Sequence, residues 1–160
     1  MTKEYKSLGL MSGTSGDGVD ASIIQSEGEM NYTSIYDEYF EYNKSIFEKI
    51  HNIKNKINSS SDLKILFDEI KLLEKEITIF HGKVVSQVTD KTKEKIDIVG
   101  FHGQTIFHNA KEKISVQLGD GNLLSKITKK SVVYNFRKND INNGGQGAPL
   151  TPVFHKLLSN

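Results

Sequence analysis

The sequence of 160 residues contains no cysteine, no tryptophan and only two prolines. Without cysteine there can be no disulfide, no thiolate metal site and no cysteine nucleophile, and a reducing compartment suits such a chain. No apolar run approaches the ~20 residues of a membrane-spanning helix, and Met1-Thr2-Lys3-Glu4-Tyr5-Lys6 lacks a signal peptide's hydrophobic stretch. A surplus of either charge is missing too. Lysine and arginine number 21 against 20 aspartates and glutamates, a formal net charge of +1, which offers no broad attraction to nucleic acid or to an anionic membrane. The expectation is a soluble cytoplasmic protein forming one domain, or a compact piece of a larger one.

What is present is glycine in clusters. Eleven of the 13 glycines fall at 9–18, 100–103, 119–121 and 144–147. Three clusters follow apolar stretches of strand type (Leu8 to Met11, Ile96 to Val99, Ile114 to Leu118), and a fourth strand, Ser131 to Phe136, leads towards the last. Glycine turns at strand ends let backbone approach a ligand where no Cβ intervenes, although each can also be a plain tight turn. Val19 to Ile23 and Tyr32 to Tyr42 read as further strands of an antiparallel meander begun at Leu8, with a turn at Glu27-Gly28-Glu29. Ile46, Phe47, Ile50, Ile53 and Ile57 recur at helical spacing across 44–56. A second helix is expected after the caps Ser59-Ser60-Ser61-Asp62, with the stripe Leu63, Leu66, Ile70, Leu73, Ile77, Phe80 and Val84 covering a sheet or, alternatively, a coiled-coil partner. A short helix over 120–130 and another from Pro149 through Val153, Phe154, Leu157 and Leu158 complete the pattern. The chain stops inside that last helix without a stop signal, so a longer natural polypeptide is expected. The order predicts an α/β fold, a mixed sheet covered by helices.

The first glycine cluster, Ser12-Gly13-Thr14-Ser15-Gly16-Asp17-Gly18-Val19-Asp20, lies in a hairpin. Its amides and the hydroxyls of Ser12, Thr14 and Ser15 suit phosphate, and Asp17 and Asp20 suit a hydrated magnesium ion. It is neither a Walker A loop nor a dinucleotide fingerprint nor a serine elbow. His102 and Gln104 are expected to project to one side just past a strand end, as a donor and acceptor pair for a sugar. His102 and His108 lack a helical ligand spacing and a nearby third ligand, so no residue is assigned to a metal. Gln117, Asp120 and Asn122 stand in the third cluster. In the fourth, Asp140 follows Arg137 by three residues in an asparagine- and glycine-rich loop, where it either acts as a general base or caps a turn. His51, His81 and His155 read as packing or surface.

Taken together, the segments resemble the anhydro-N-acetylmuramic acid kinases. The resemblance is carried by Gly9-Leu10-Met11-Ser12-Gly13-Thr14-Ser15 with Asp17-Gly18-Val19-Asp20, and by His102-Gly103-Gln104-Thr105 with His108. Gln117-Leu118-Gly119-Asp120 with Asn122, and Phe136-Arg137 with Asp140 and Gly144-Gly145-Gln146-Gly147-Ala148-Pro149-Leu150, complete it in the same order. It implies the N-terminal lobe of an actin-like ATPase (ribonuclease H-like) fold, spanning 1–160, with the C-terminal lobe lying outside this chain. It also implies an enzyme of cell-wall recycling that uses ATP, Mg2+ and water to open the 1,6-anhydro ring and phosphorylate O6.

Carried over by position, Gly13, Thr14, Ser15, Gly16, Asp17, Gly18, Val19 and Asp20 form the ATP phosphate loop, and Asp140 is the base that activates water. His102, Gln104, Asp120, Asn122 and Arg137 face or support the amino sugar. That reading requires Asp140 to face a cleft beside the hydroxyl-bearing bend. Asn135 stands where these kinases usually have aspartate, and Gly121 where they commonly have proline or asparagine. The expected partners are the amino sugar and ATP, with a homodimer left open, and the isolated chain is expected not to turn over ATP. The alternatives are a non-catalytic sugar-binding or interaction module and a coiled-coil scaffold built on 63–84.

Overall fold

The computed structural model describes residues 3–152 together with Phe154 and His155. Three antiparallel strands open the chain: β1 (Tyr5–Ser12), β2 (Gly18–Ser26) and β3 (Tyr32–Glu41). Helices α1 (Lys44–Lys56), α2 (Asp62–Ile65) and α3 (Phe67–Thr92) follow. The chain then forms β4 (Ile98–Asn109), β5 (Ile114–Leu118), α4 (Gly121–Thr128), β6 (Ser131–Tyr134) and α5 (Phe136–Asn142). The sheet order is β3-β2-β1-β4-β5, and β6 also pairs with β4.

β4 organises this sheet. Its first half lies parallel to β1 on one edge and to β6 on the other, whereas its second half pairs antiparallel with β5. Against β1 the register slips: Leu10 faces Phe101, but Ser12 faces Gln104, so β4 spends three steps where β1 spends two. This bulge needs Gly103, whose φ of +71° is a left-handed conformation. Because side chains alternate along a strand, the extra residue reverses the alternation. Phe101 and Gln104 therefore share the core face, and His102 does not join Gln104 on one side as expected. Nor does the strand end at Val99; the second glycine cluster lies inside it.

One face of the sheet is packed by helices. Leu8, Leu10, Val19, Ala21, Ile23, Val99 and Phe101 meet Ile46, Ile50 and Ile53 of α1, and Ile70, Leu73, Ile77, Val84, Val85 and Val88 of α3, in one core. The α3 stripe is thus satisfied within the chain, as a sheet-covering helix requires. α4 packs on α3 where Gly82 leaves room for Ile127 and Leu124.

Asn43 caps α1 by accepting the Ile46 N–H at 3.0 Å. The second helix departs from expectation. It breaks at Leu66, and none of its serines caps it, because the Asp62 carboxylate reaches back to the N–H groups of Asn58 and Ser59. The strand expected to reach Phe136 ends at Tyr134, and α5 begins at Phe136. Asn135 turns the corner at φ +62°, a conformation asparagine enters more readily than most residues. Pro149 follows a cis peptide bond and is not helical; Val153, Leu157 and Leu158 of the expected final helix lie outside the described residues.

Candidate functional site

Ser12 is the point from which the site is built. It is the last residue of β1, its side chain is buried, and its Oγ lies 2.6 Å from Gln104 Oε1, 2.8 Å from the Gly18 carbonyl and 2.9 Å from Tyr42 Oη. Its single proton serves the shorter contact to Gln104, while the tyrosine hydroxyl donates in return. The Gln104 amide donates to the carbonyl of Gly13 at 2.8 Å and to that of Thr105 at 3.2 Å. Gln104 is fully buried, and its amide pins the loop from below. Burial also pushes the Tyr42 phenol upward, and it stays protonated as a donor.

Above this network the 13–18 segment forms a tight turn, closed by the Gly16 N–H donating to the Gly13 carbonyl at 3.2 Å. The N–H groups of Thr14 and Ser15 make no hydrogen bond among the described residues, which leaves two donors at an exposed bend. Ser15 donates to Asp17 Oδ1 at 2.6 Å, and this bond is the main cause holding the Asp17 carboxyl below its usual range. Gly18 has no space for a Cβ, because the Tyr39 ring and the Phe40 carbonyl occupy that position. Val19 and Asp20 already belong to β2. The Val19 side chain is in the core, and Asp20 is exposed opposite Tyr39, whose phenol is raised first by burial and then by the charges of Asp17, Glu41 and Asp20.

The second half of the site grows from His102 on the other face of β4. Its Nδ1 lies 2.7 Å from the Gly103 carbonyl, and its Nε2 accepts a hydrogen bond from Arg137 Nε at 2.8 Å. These partners fix the neutral tautomer with the proton on Nδ1. Arg137, in the first turn of α5, also donates to the Gly147 carbonyl at 2.7 Å. The Gly147 N–H donates to Asp140 Oδ2 at 2.8 Å, and the carboxylate lies over Gly145, where a Cβ would overlap it. Asp140, His102, Arg137 and the 144–147 loop thus form one bonded assembly drawn from separate segments.

Asp140 stands on the last turn of a short helix and not in a loop. The cleft between β5 and α5 is lined by Ser115, Gln117, Asn135, Lys138 and Ile141 among others, but not by Asp140, whose carboxylate turns to the glycine loop. Among the described residues no hydrogen bond joins Asp140 to the bend at 13–18, so the expected placement of Asp140 in a cleft beside that bend is not met within this lobe. Asp120 caps α4 by accepting the Leu123 N–H at 3.0 Å, and Asn122 is exposed on the helix it starts. Sequence reasoning missed Tyr42 and Lys54. Both meet the loop only through tertiary packing, and no local motif marks either.

Two imidazoles, His102 of the assembly and His81 of α3, give the fold a pH signature. Burial is the main cause lowering each: His81, fully buried with Nδ1 against the Ile77 carbonyl, is pushed down to about 4 from 6.5. His102 is lowered by burial, opposed by the Gly103 carbonyl, with Arg137 adding repulsion. The unfolded chain therefore takes up these protons first. Stability is complete above the ordinary imidazole range and declines as the pH falls below it towards the folded-state values. Urea midpoints followed from about pH 7.5 to 4.5 should fall with pH. A flat profile would contradict neutral, buried imidazoles.

An antiparallel meander leading into a mixed sheet, with helices packed on it and a glycine bend at the end of β1, is the N-terminal lobe of the actin-like ATPase class. Within that class the chain belongs to the anhydro-N-acetylmuramic acid kinase family, which it matches over residues 5–160. It is 61% identical over 160 residues to the anhydro-N-acetylmuramic acid kinase of Pelagibacter ubique (strain HTCC1062), covering 100% of this chain and 43% of that protein. The kinases of Agrobacterium fabrum (strain C58) and Rhodopseudomonas palustris (strain BisB18) are 36% and 35% identical over 158 and 159 residues. Each match covers 95% of this chain and 42% of the relative. The chain therefore spans less than half the length of these relatives.

Proposed function

We propose that the chain forms the N-terminal lobe of a cytoplasmic kinase that uses ATP and water to convert 1,6-anhydro-N-acetylmuramic acid into N-acetylmuramic acid 6-phosphate. The observation that carries this reading is the assembly of His102, Arg137, Gly147 and Asp140 on one face of β4, next to a strand segment that also pins the 13–18 bend through Gln104. Asp140 Oδ2 is engaged by Gly147, whereas Oδ1 has no hydrogen-bond partner among the described residues and is free to take a proton. In the proposed reaction Asp140 meets a cleft completed by the remainder of the kinase and removes a proton from water as its oxygen bonds to C1. The C1–O6 bond breaks, and O6 takes the γ-phosphoryl group with release of ADP. His102, Arg137, Asp120 and Asn122 border the sugar, with Arg137 and His102 held as a pair. Gln104 acts at one remove, by fixing the bend.

Magnesium fits the loop chemistry. Among the described residues no group of three or more histidines, aspartates or glutamates could hold a metal. Mg2+ bound to phosphates keeps most of its waters, however, and needs only one or two carboxylates. Asp17, held ionised by Ser15, and Asp20 are the residues that would hold it, and when bound it offsets charge on the transferring group.

The test is a chimera in which residues 1–160 replace the matching span of the Pelagibacter ubique relative. It should convert the anhydro sugar and ATP to the 6-phosphate, with oxygen from labelled water at C1, while the 160-residue chain alone does not turn over. A folded chimera that leaves the sugar unchanged, beside an active relative, would refute the reading.

A further inference from the structure

The bend at 13–18 has no cation of its own. Between Ser12 and Asp20 there are two carboxylates and neither lysine nor arginine, and Asp17 is held ionised. A polyphosphate arriving at the free Thr14 and Ser15 amides without Mg2+ would meet like charge unless a cation came from another element.

Helix α1 supplies one. Lys54, in its last turn, reaches across 40 positions of sequence to place its ammonium on the carbonyl of Thr14. Last-turn lysines commonly stay with the carbonyl end of their own helix, and Lys56 is available there, paired with Glu69 across to α3. Lys54 instead spans to the bend. One turn earlier on the same side, His51 packs on Phe47 with ring centroids 4.2 Å apart. Its Nε2 is buried without a hydrogen-bond partner among the described residues, 3.8 Å from where a Cβ on Gly16 would stand. Ile50 closes on the same point at 2.9 Å. The buried ring nitrogen places His51 directly under the bend at Gly16.

We infer that α1 is a wall of the phosphate site and that Lys54 is its phosphate-binding cation, an inference that rests on the phosphate reading of residues 13–18. The ammonium carries three donors. One is held by Thr14, which aims the group, and two remain for phosphate oxygens beside the Thr14 and Ser15 amides. His51 is a positioning residue under Gly16.

The experiment is a titration of the 15N-labelled chain with sodium tripolyphosphate, following the amides of Thr14, Ser15 and Gly16. The wild-type chain should show saturable shifts at these positions. Lys54→Ala should weaken the dissociation constant about tenfold or more, as loss of a charge-assisted bond requires, and Lys54→Arg should restore most of it. Lys56→Ala removes the same charge from the same helix and should leave binding within about twofold, because a distant exposed charge is screened. If Lys54→Ala binds as the wild type does, or Lys56→Ala weakens binding equally, the role of Lys54 is overturned while the phosphate site stands. If the wild-type chain gives no saturable shift, the phosphate reading itself fails and the inference falls with it.

Discussion

Replacing Gly103 by alanine should cost about 3 kcal/mol or more of folding free energy, among the largest single-methyl effects available in this chain. Two causes add. At φ +71° an alanine pays for a left-handed backbone, about 1 kcal/mol. Its Cβ would also stand well inside contact distance of the Leu118 carbonyl oxygen, with the Leu118 carbonyl carbon at 3.1 Å and Gly119 Cα at 3.6 Å. Neither side can give way, since β4 is bonded to β1 on one edge and to β5 on the other at this point. Gly28→Ala is the comparison. Its φ is +92° but none of the described residues lies within 4 Å of the added atom, so only the backbone cost of about 1 kcal/mol remains. Urea unfolding of both variants separates the terms. Equal losses would mean that the bulge yields and that its geometry is not fixed by the two neighbours.

Asp140→Asn, made in the chimera, should lower the rate of anhydro-sugar phosphorylation about a thousandfold while leaving the fold in place. The separation follows from the role proposed for the carboxylate. Asparagine keeps an acceptor for the Gly147 N–H, so the glycine loop stays closed and stability drops by about 1 kcal/mol or less. It cannot take a proton from water. The KM for the sugar should change little, because the lost interaction belongs to the transition state. Asp62→Asn is the matched control: Asp62 lies away from the site and accepts the Asn58 and Ser59 N–H groups, and asparagine keeps an acceptor for them. A variant at position 140 that retains more than about a tenth of the rate removes Asp140 from the role of base and leaves it as the anchor of the 144–147 loop.

These two positions show what the sequence could and could not reveal. Helix α1 was legible to the residue, because Ile46, Ile50 and Ile53 mark one face across 44–56. The meander was legible from alternation. The side on which Gln104 lies was not: alternation counts residues, and the bulge at Gly103 adds one that only the pairing partner reveals. The break at Leu66 was hidden for a related reason, since Asp62 captures amides behind it in place of the expected serine caps. Helix α5 has too few apolar residues for a period to emerge from Phe136 to Asn142, so Asp140 read as a loop residue. Lys54 carried no signal at all. Its partner is distant in sequence, and a lysine in a helix's last turn is unremarkable until its direction is known.

The two-sided pairing of β4 has a mechanical consequence. Near its middle one edge passes from β6 to β5, and the residues at that crossing, Phe101 to Gln104, include the histidine tied to α5 and the glutamine tied to the β1 bend. A tilt of the β5–α4 corner is therefore delivered to both loops by the same few peptide units, as a rocker turns two levers from one pivot.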